Sequence, residues 1–155
     1  MELANKSDEE ILAVANPIMD NLMEGSTDIN HEKHTRDFTD RLKNIVTKDH
    51  LEKVCKHYQS ELGYFSKREF VAVFRRPSSI AIVWKQWCTQ QEGEFVAEIV
   101  LLEKNSRYLV EPCHGLLIRL CVHRIPNRQP NSLSPLSFML YKTEGNTRPP
   151  YDLFY

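Results

Sequence analysis

YFSKREFVAVFRRPSSIAIVWKQWCTQQEGEFVAEIVLLEKNSRYLV, residues 64–110, decides the fold of this chain. From Phe65 its apolar residues recur with a period of two, the spacing that places alternate side chains on one face of a strand. Phe70, Ala72 and Phe74 mark one face of a first strand, with Val71, Val73 and Arg75 on the other. Ile80, Ile82 and Trp84 alternate with Ala81, Val83, Lys85 and Trp87 in a second. Phe95, Ala97, Ile99 and Leu101 alternate with Val96, Glu98, Val100 and Leu102 in a third, and Arg107 begins a fourth. The links, at 76–79, 90–93 and 104–106, are short and of turn composition. Strands joined this closely pair as an antiparallel meander. Both faces of its centre are largely apolar. Helices are expected to cover one face, and a second copy of the chain or the curl of the sheet to meet the other.

Working upstream, the period changes to that of helices. Ser7-Asp8-Glu9-Glu10 has the spacing of a capping box, and Ile11, Ala15, Ile18 and Leu22 follow on one stripe. Pro17 is expected to bend or split this helix, and Gly25 to end it. A second helix is expected over residues 31–46, with Phe38, Leu42, Ile45 and Val46 on one side. Thr47 then caps a third, whose stripe is Leu51, Val54, Cys55, Tyr58 and Leu62 and whose stop is Gly63. Helices first and an antiparallel sheet after them define an α+β domain.

Downstream the texture changes. From Pro112 onward the chain carries six of its eight prolines and loses regular alternation. One further strand is expected at 116–122. The division is therefore an α+β domain over residues 1–122 and an irregular proline-rich tail over 123–155. At 155 residues the chain is long enough for one domain with its own core, needing no metal or disulfide staple.

With 20 Lys+Arg against 21 Asp+Glu, the net charge of -1 argues against a general nucleic-acid binder. Residues 1–10 lack the apolar stretch of a secretory signal, and no run is long enough to span a membrane, so a cytoplasmic protein without a membrane partner is expected. Cys55, Cys88, Cys113 and Cys121 form no C-x-x-C pair and read as reduced thiols.

Candidate chemistry is sparse. Lys85 and Glu98 are expected to fall roughly opposite each other on neighbouring strands, as a cross-strand ion pair or as a tuned acid–base pair in a pocket. Arg68, Glu69, Arg75 and Arg76 flank the first strand and would receive an anion or guard a sheet edge. His31 and His34 sit three apart on a helix, followed by Asp37, a spacing that could hold a metal, but no third ligand of matched spacing stands out and the histidines read as surface residues. Cys113 and His114 are sequence neighbours, which a strand would point to opposite faces. Tyr58, Phe70, Trp84 and Trp87 belong to an aromatic set that would form core or line an apolar pocket. Asp37, Tyr58, Phe70, Trp84, Lys85, Trp87 and Glu98 are thus the pocket candidates, with no catalytic residue, metal or cofactor expected.

The order of bent helix, two more helices and long meander resembles the nuclear-transport-factor-like superfamily, the cone fold shared with ketosteroid isomerase and scytalone dehydratase. The resemblance is carried by Ala15-Asn16-Pro17-Ile18-Met19-Asp20-Asn21-Leu22, Thr35-Arg36-Asp37-Phe38, Leu62-Gly63-Tyr64-Phe65 and the strand runs 68–77, 80–86 and 94–103, within residues 8–110. It implies a curved sheet packed on helices, a pocket at the wide end and dimerisation through the outer sheet face. After Val110 the chain departs from that pattern, where a short closing strand is expected. Two functions compete. One is a non-catalytic binding or interaction domain, dimeric, with an apolar pocket. The other is a pocket lyase or isomerase for an apolar small molecule, drawing its acid and base from Asp37, Tyr58, Lys85 or Glu98.

Overall fold

A computed structural model describes residues 2–112. The expected strand at 116–122, the tail at 123–155, Cys113, His114 and Cys121 lie outside the described residues. Within them, a 3-10 turn at Glu2–Asn5 precedes four α-helices, α1 Asp8–Thr27, α2 His31–His34, α3 Asp40–Ile45 and α4 Lys48–Leu62. Four strands follow, β1 Phe65–Arg75, β2 Ile80–Cys88, β3 Phe95–Lys104 and β4 Arg107–Val110, in one antiparallel sheet of order β1-β2-β3-β4. This is the α+β layout expected from the change of period.

The capping box forms as read. The Ser7 N–H donates to Glu10 Oε2 at 2.9 Å and the Glu10 N–H to Ser7 Oγ at 3.3 Å. α1 then runs unsplit through Pro17 and past Gly25 to Thr27. Pro17 and Ala13 lie on the exposed side of α1, so the Ala13 carbonyl that loses its helical donor can be met by water. Gly25 is a close approach rather than a stop. A Cβ there would stand 2.4 Å from the His34 nitrogen and 2.6 Å from its Cα.

The single helix expected at 31–46 is two helices. Asn30 Oδ1 accepts from the Lys33 N–H at 3.1 Å and Thr39 Oγ1 from the Leu42 N–H at 3.3 Å, so each piece has its own N-cap. The break frees 37–39 to run beside β4. There the Val110 N–H donates to the Asp37 carbonyl at 2.7 Å and the Thr39 N–H to the Val110 carbonyl at 3.0 Å, around a parallel bridge of Phe38 with Val110.

One face of the sheet meets the helices. Ile80, Ile82 and Trp84 of β2 and Ala97, Ile99 and Leu101 of β3 form a continuous core with Ile11, Ala15, Met19 and Leu22 of α1, Leu42 of α3 and Leu51 and Cys55 of α4. β2 and β3 keep the expected alternation. β1 does not, because its ladder slips between Phe70 and Ala72. Phe70 stands opposite Trp84 on the helix-facing side, and past the slip Val73 opposes Ile82 while Phe74 opposes Ala81 on the outer side. Phe70 and Phe74 therefore lie on opposite faces. Val71 is the extra residue of the bulge, which turns it outward.

Candidate functional site

The pocket candidates are divided between regions. Tyr58, Phe70 and Trp84 lie on the helix side of the sheet, where Trp84 is buried and the other two are half-buried. Lys85, Trp87 and Glu98 lie on the outer face. Lys85 stands opposite Val96 and Glu98 opposite Val83, so the two are diagonal rather than opposed, two ladder positions closer to the turn than the spacing implied. Lys85 has Glu69 across the β1 ladder instead, and its Nζ bonds Glu94 Oε1 at 3.1 Å. Trp87 carries the Lys67 ammonium 4.4 Å from its ring centroid, a cation–π contact. Asp37 sits at the β4 edge, bound to Arg36 at 2.7 Å and 3.9 Å from Arg107. Of the four acid–base candidates, only Tyr58 lies on the helix side.

The arginines beside β1 hold the domain together. Arg68 bonds Asp20, donates to Met23 Sδ at 3.2 Å, and stacks 5.5 Å from the Trp84 ring centroid, tying β1 to α1 over the largest core side chain. Arg75 donates to the Ala4 and Lys6 carbonyls at 3.2 and 3.0 Å and to Asp8 at 2.6 Å, clasping the start of α1.

Two polar clusters were not legible as such in the sequence. The first joins α1, α2 and α4. Ser26 Oγ donates to the Leu22 carbonyl at 3.0 Å, and His34 Nδ1 lies 3.1 Å from that carbonyl and 2.9 Å from Ser26 Oγ. A carbonyl only accepts. The one arrangement that satisfies all three groups puts the hydrogen on Nδ1, which donates to Leu22 and Ser26. Nδ1 is then no base for the Ser26 hydroxyl, and the Ser-His contact is a helix staple rather than a nucleophile pair. Burial pushes His34 from 6.5 to about 4, partly countered by the Leu22 bond and reinforced by His31. His34 is therefore a neutral buried residue rather than the surface histidine expected. His31 turns elsewhere, its Nε2 2.7 Å from the Val46 carbonyl.

Close by, burial raises Cys55 to about 11, with the Tyr58 and Ser26 hydroxyls pulling the other way. Burial raises Tyr58 to about 12, its ring stacked 4.9 Å from Phe65. Both groups are held in their neutral, unreactive forms at pH 7. Gln59 Nε2 donates to the Ser26 and Thr27 carbonyls at 3.2 and 3.1 Å and closes the end of α1.

The second cluster is Gln86, 1% exposed on the helix-facing side of β2. Its Nε2 faces the Ser66, Lys67 and Trp87 carbonyls at 3.3, 3.2 and 2.7 Å, which clamps a second irregularity in β1 between Phe65 and Arg68. Three carbonyls around one amide nitrogen set its orientation. Gln86 Oε1 is consequently buried with no hydrogen-bond partner among the described residues.

Among the described residues no three His, Cys, Asp or Glu side chains group as metal ligands would, and no helix is long and apolar enough to cross a membrane. No protein-family model and no curated protein matches the chain. One solved structure it resembles is that of Bd1075 from Bdellovibrio bacteriovorus, at a TM-score of 0.39 and 11% identity, over 62% of this chain and 36% of that one. The chain thus spans about a third of that protein's length, and the likeness is too distant to place it in a fold family.

Proposed function

We propose that the chain is a non-catalytic interaction domain that associates with a second copy of itself through the outer side of its sheet, in keeping with the cone-fold resemblance. The observation that carries this reading is the make-up of that side. On the face away from the helices Ala81, Val83, Val96, Val100 and Leu102 form an apolar centre, in which Ala81 and Val100 are buried and Val83, Val96 and Leu102 half-buried. Phe74 on the same face is 55% exposed, beside Val71 at 50%. Lys85, Glu94 and the Lys67–Trp87 contact lie toward one end, the pattern of an apolar patch with a polar rim. The dispersal of Asp37, Tyr58, Lys85 and Glu98 counts against the lyase or isomerase alternative, which requires acid and base to converge.

Light scattering on the full chain tests the reading. The expected mass is about twice 18.2 kDa and falls to the monomer in Phe74→Asp, with helical and strand circular dichroism unchanged. A wild-type monomer at all concentrations refutes it.

A further inference from the structure

The two edges of the sheet differ. β4 is four residues long, and on its far side both polar backbone groups of Val110 are bonded by 37–39. β1 is 11 residues long and, among the described residues, pairs only with β2. Such an edge presents a row of unpaired backbone donors and acceptors. Three of the four large apolar side chains exposed among the described residues lie on it or beside it, Tyr64, Val71 and Phe74.

β1 is complementary to itself. The bulge at Val71 sets the faces of its two halves. Glu69, Ala72 and Phe74 face outward, while Phe70, Val73 and Arg75 face the helices. Consider a second β1 laid antiparallel with Val73 opposite Val73. Ala72 then meets Phe74 of the second copy, small against large. Stepping over the bulged Val71, Phe70 meets Arg75, and Glu69 meets Arg76, which is exposed just past the strand end. Arg68 meets Pro77, so no like charges are opposed. Each pair shares a face, and a two-fold axis through the Val73 pair makes every other pair occur twice. A shift of one residue would oppose outer side chains to helix-facing ones.

We infer that two copies of the chain join along β1, antiparallel and centred on Val73, so that their eight described strands form one continuous sheet, with reciprocal Glu69–Arg76 pairs fixing the register. The inference rests on the self-association proposed above and assigns it to the sheet edge rather than to stacked sheet faces. The two outer faces then lie side by side as one surface.

A charge swap tests it, read as mass by light scattering and as hydrogen exchange of the β1 amides. Glu69→Arg and Arg76→Glu each place like charges opposite and are expected to weaken the dimer at least tenfold and expose the β1 amides to exchange. The double variant Glu69→Arg/Arg76→Glu restores opposite pairs and is expected to restore both mass and protection. All four side chains involved are exposed, and circular dichroism checks that each variant is folded. A dimer indifferent to both single changes but broken by Val83→Asp overturns the edge assignment and leaves the proposed function standing. Single variants that weaken the dimer without rescue by the double also overturn the assignment. A wild-type monomer overturns both.

Discussion

Trp84 and Val83 are neighbours in β2, yet they belong to different environments. Trp84 is buried against α1 and beneath the Arg68 guanidinium, and its ladder partners Phe70 and Ala97 face the same core. Val83 faces outward between Ala72 and Glu98 and remains half-exposed. The helix-facing side holds the fold together, and its polar groups are spent on helix ends and strand irregularities. On the outer side Ala81 and Val100 are buried as well, while Val71 and Phe74 remain exposed. The lesson is that burial accounts for the residues of the first side, whereas Phe74 and Val71 stay open on the second, where the proposed second copy would meet them.

The contrast can be broken by measurement, most sharply at Trp84. Trp84→Ala is expected to cost about 3–5 kcal/mol in urea unfolding, through lost burial and the cavity left behind. Val83→Thr, which keeps the β-branch, is expected to cost about 0.5 kcal/mol or less. Equal losses at the two sites would erase the distinction between the faces.

Acid provides the next test. Unfolded His34 titrates near 6.5 and folded His34 at about 4, so as pH falls the unfolded chain takes up the proton first. Stability is unaffected by His34 above about pH 6.5, declines between there and about 4, and is lower by roughly 3 kcal/mol below that. Between pH 7 and 4 the wild type should lose more stability than His34→Asn by that amount in urea unfolding. An equal loss in the two would place the imidazole in water rather than under α1.

Gly25 tests how tightly the helix layer closes. The Cβ of Gly25→Ala would press on the His34 backbone, so a loss of about 1–3 kcal/mol is expected in thermal or urea unfolding. A small effect is expected at the polar end of the outer side. Lys85→Ala removes the exposed Glu94 pair and should change stability by about 0–1 kcal/mol, less at high salt. A larger loss would assign the outer polar end a role in holding the fold.

Much of this arrangement was legible in the sequence, and the failures have local causes. Alternation placed the faces of β2 and β3 because those strands run without interruption. It misplaced Phe74 because the bulge at Val71 carries no glycine or proline to signal it. The Lys85–Glu98 pairing failed because register depends on where the turn is centred, and here the turn brings Val96, not Glu98, opposite Lys85. The split between α2 and α3 was signalled by Asn30 and Thr39, both good N-cap residues, but the Phe38–Leu42 spacing masked it. Gly25 was misread because a glycine stop and a glycine contact look alike until the neighbouring backbone is known. The staple of Ser26, His34 and Leu22 was out of reach, since it joins residues whose proximity only the packing of α1 on α2 creates.

Sedimentation equilibrium of the full chain over a hundredfold range of concentration tests most directly whether the outer side of the sheet exists to meet another copy. The account predicts a reversible monomer–dimer equilibrium reaching about twice 18.2 kDa. A mass fixed at the monomer value throughout that range would contradict it.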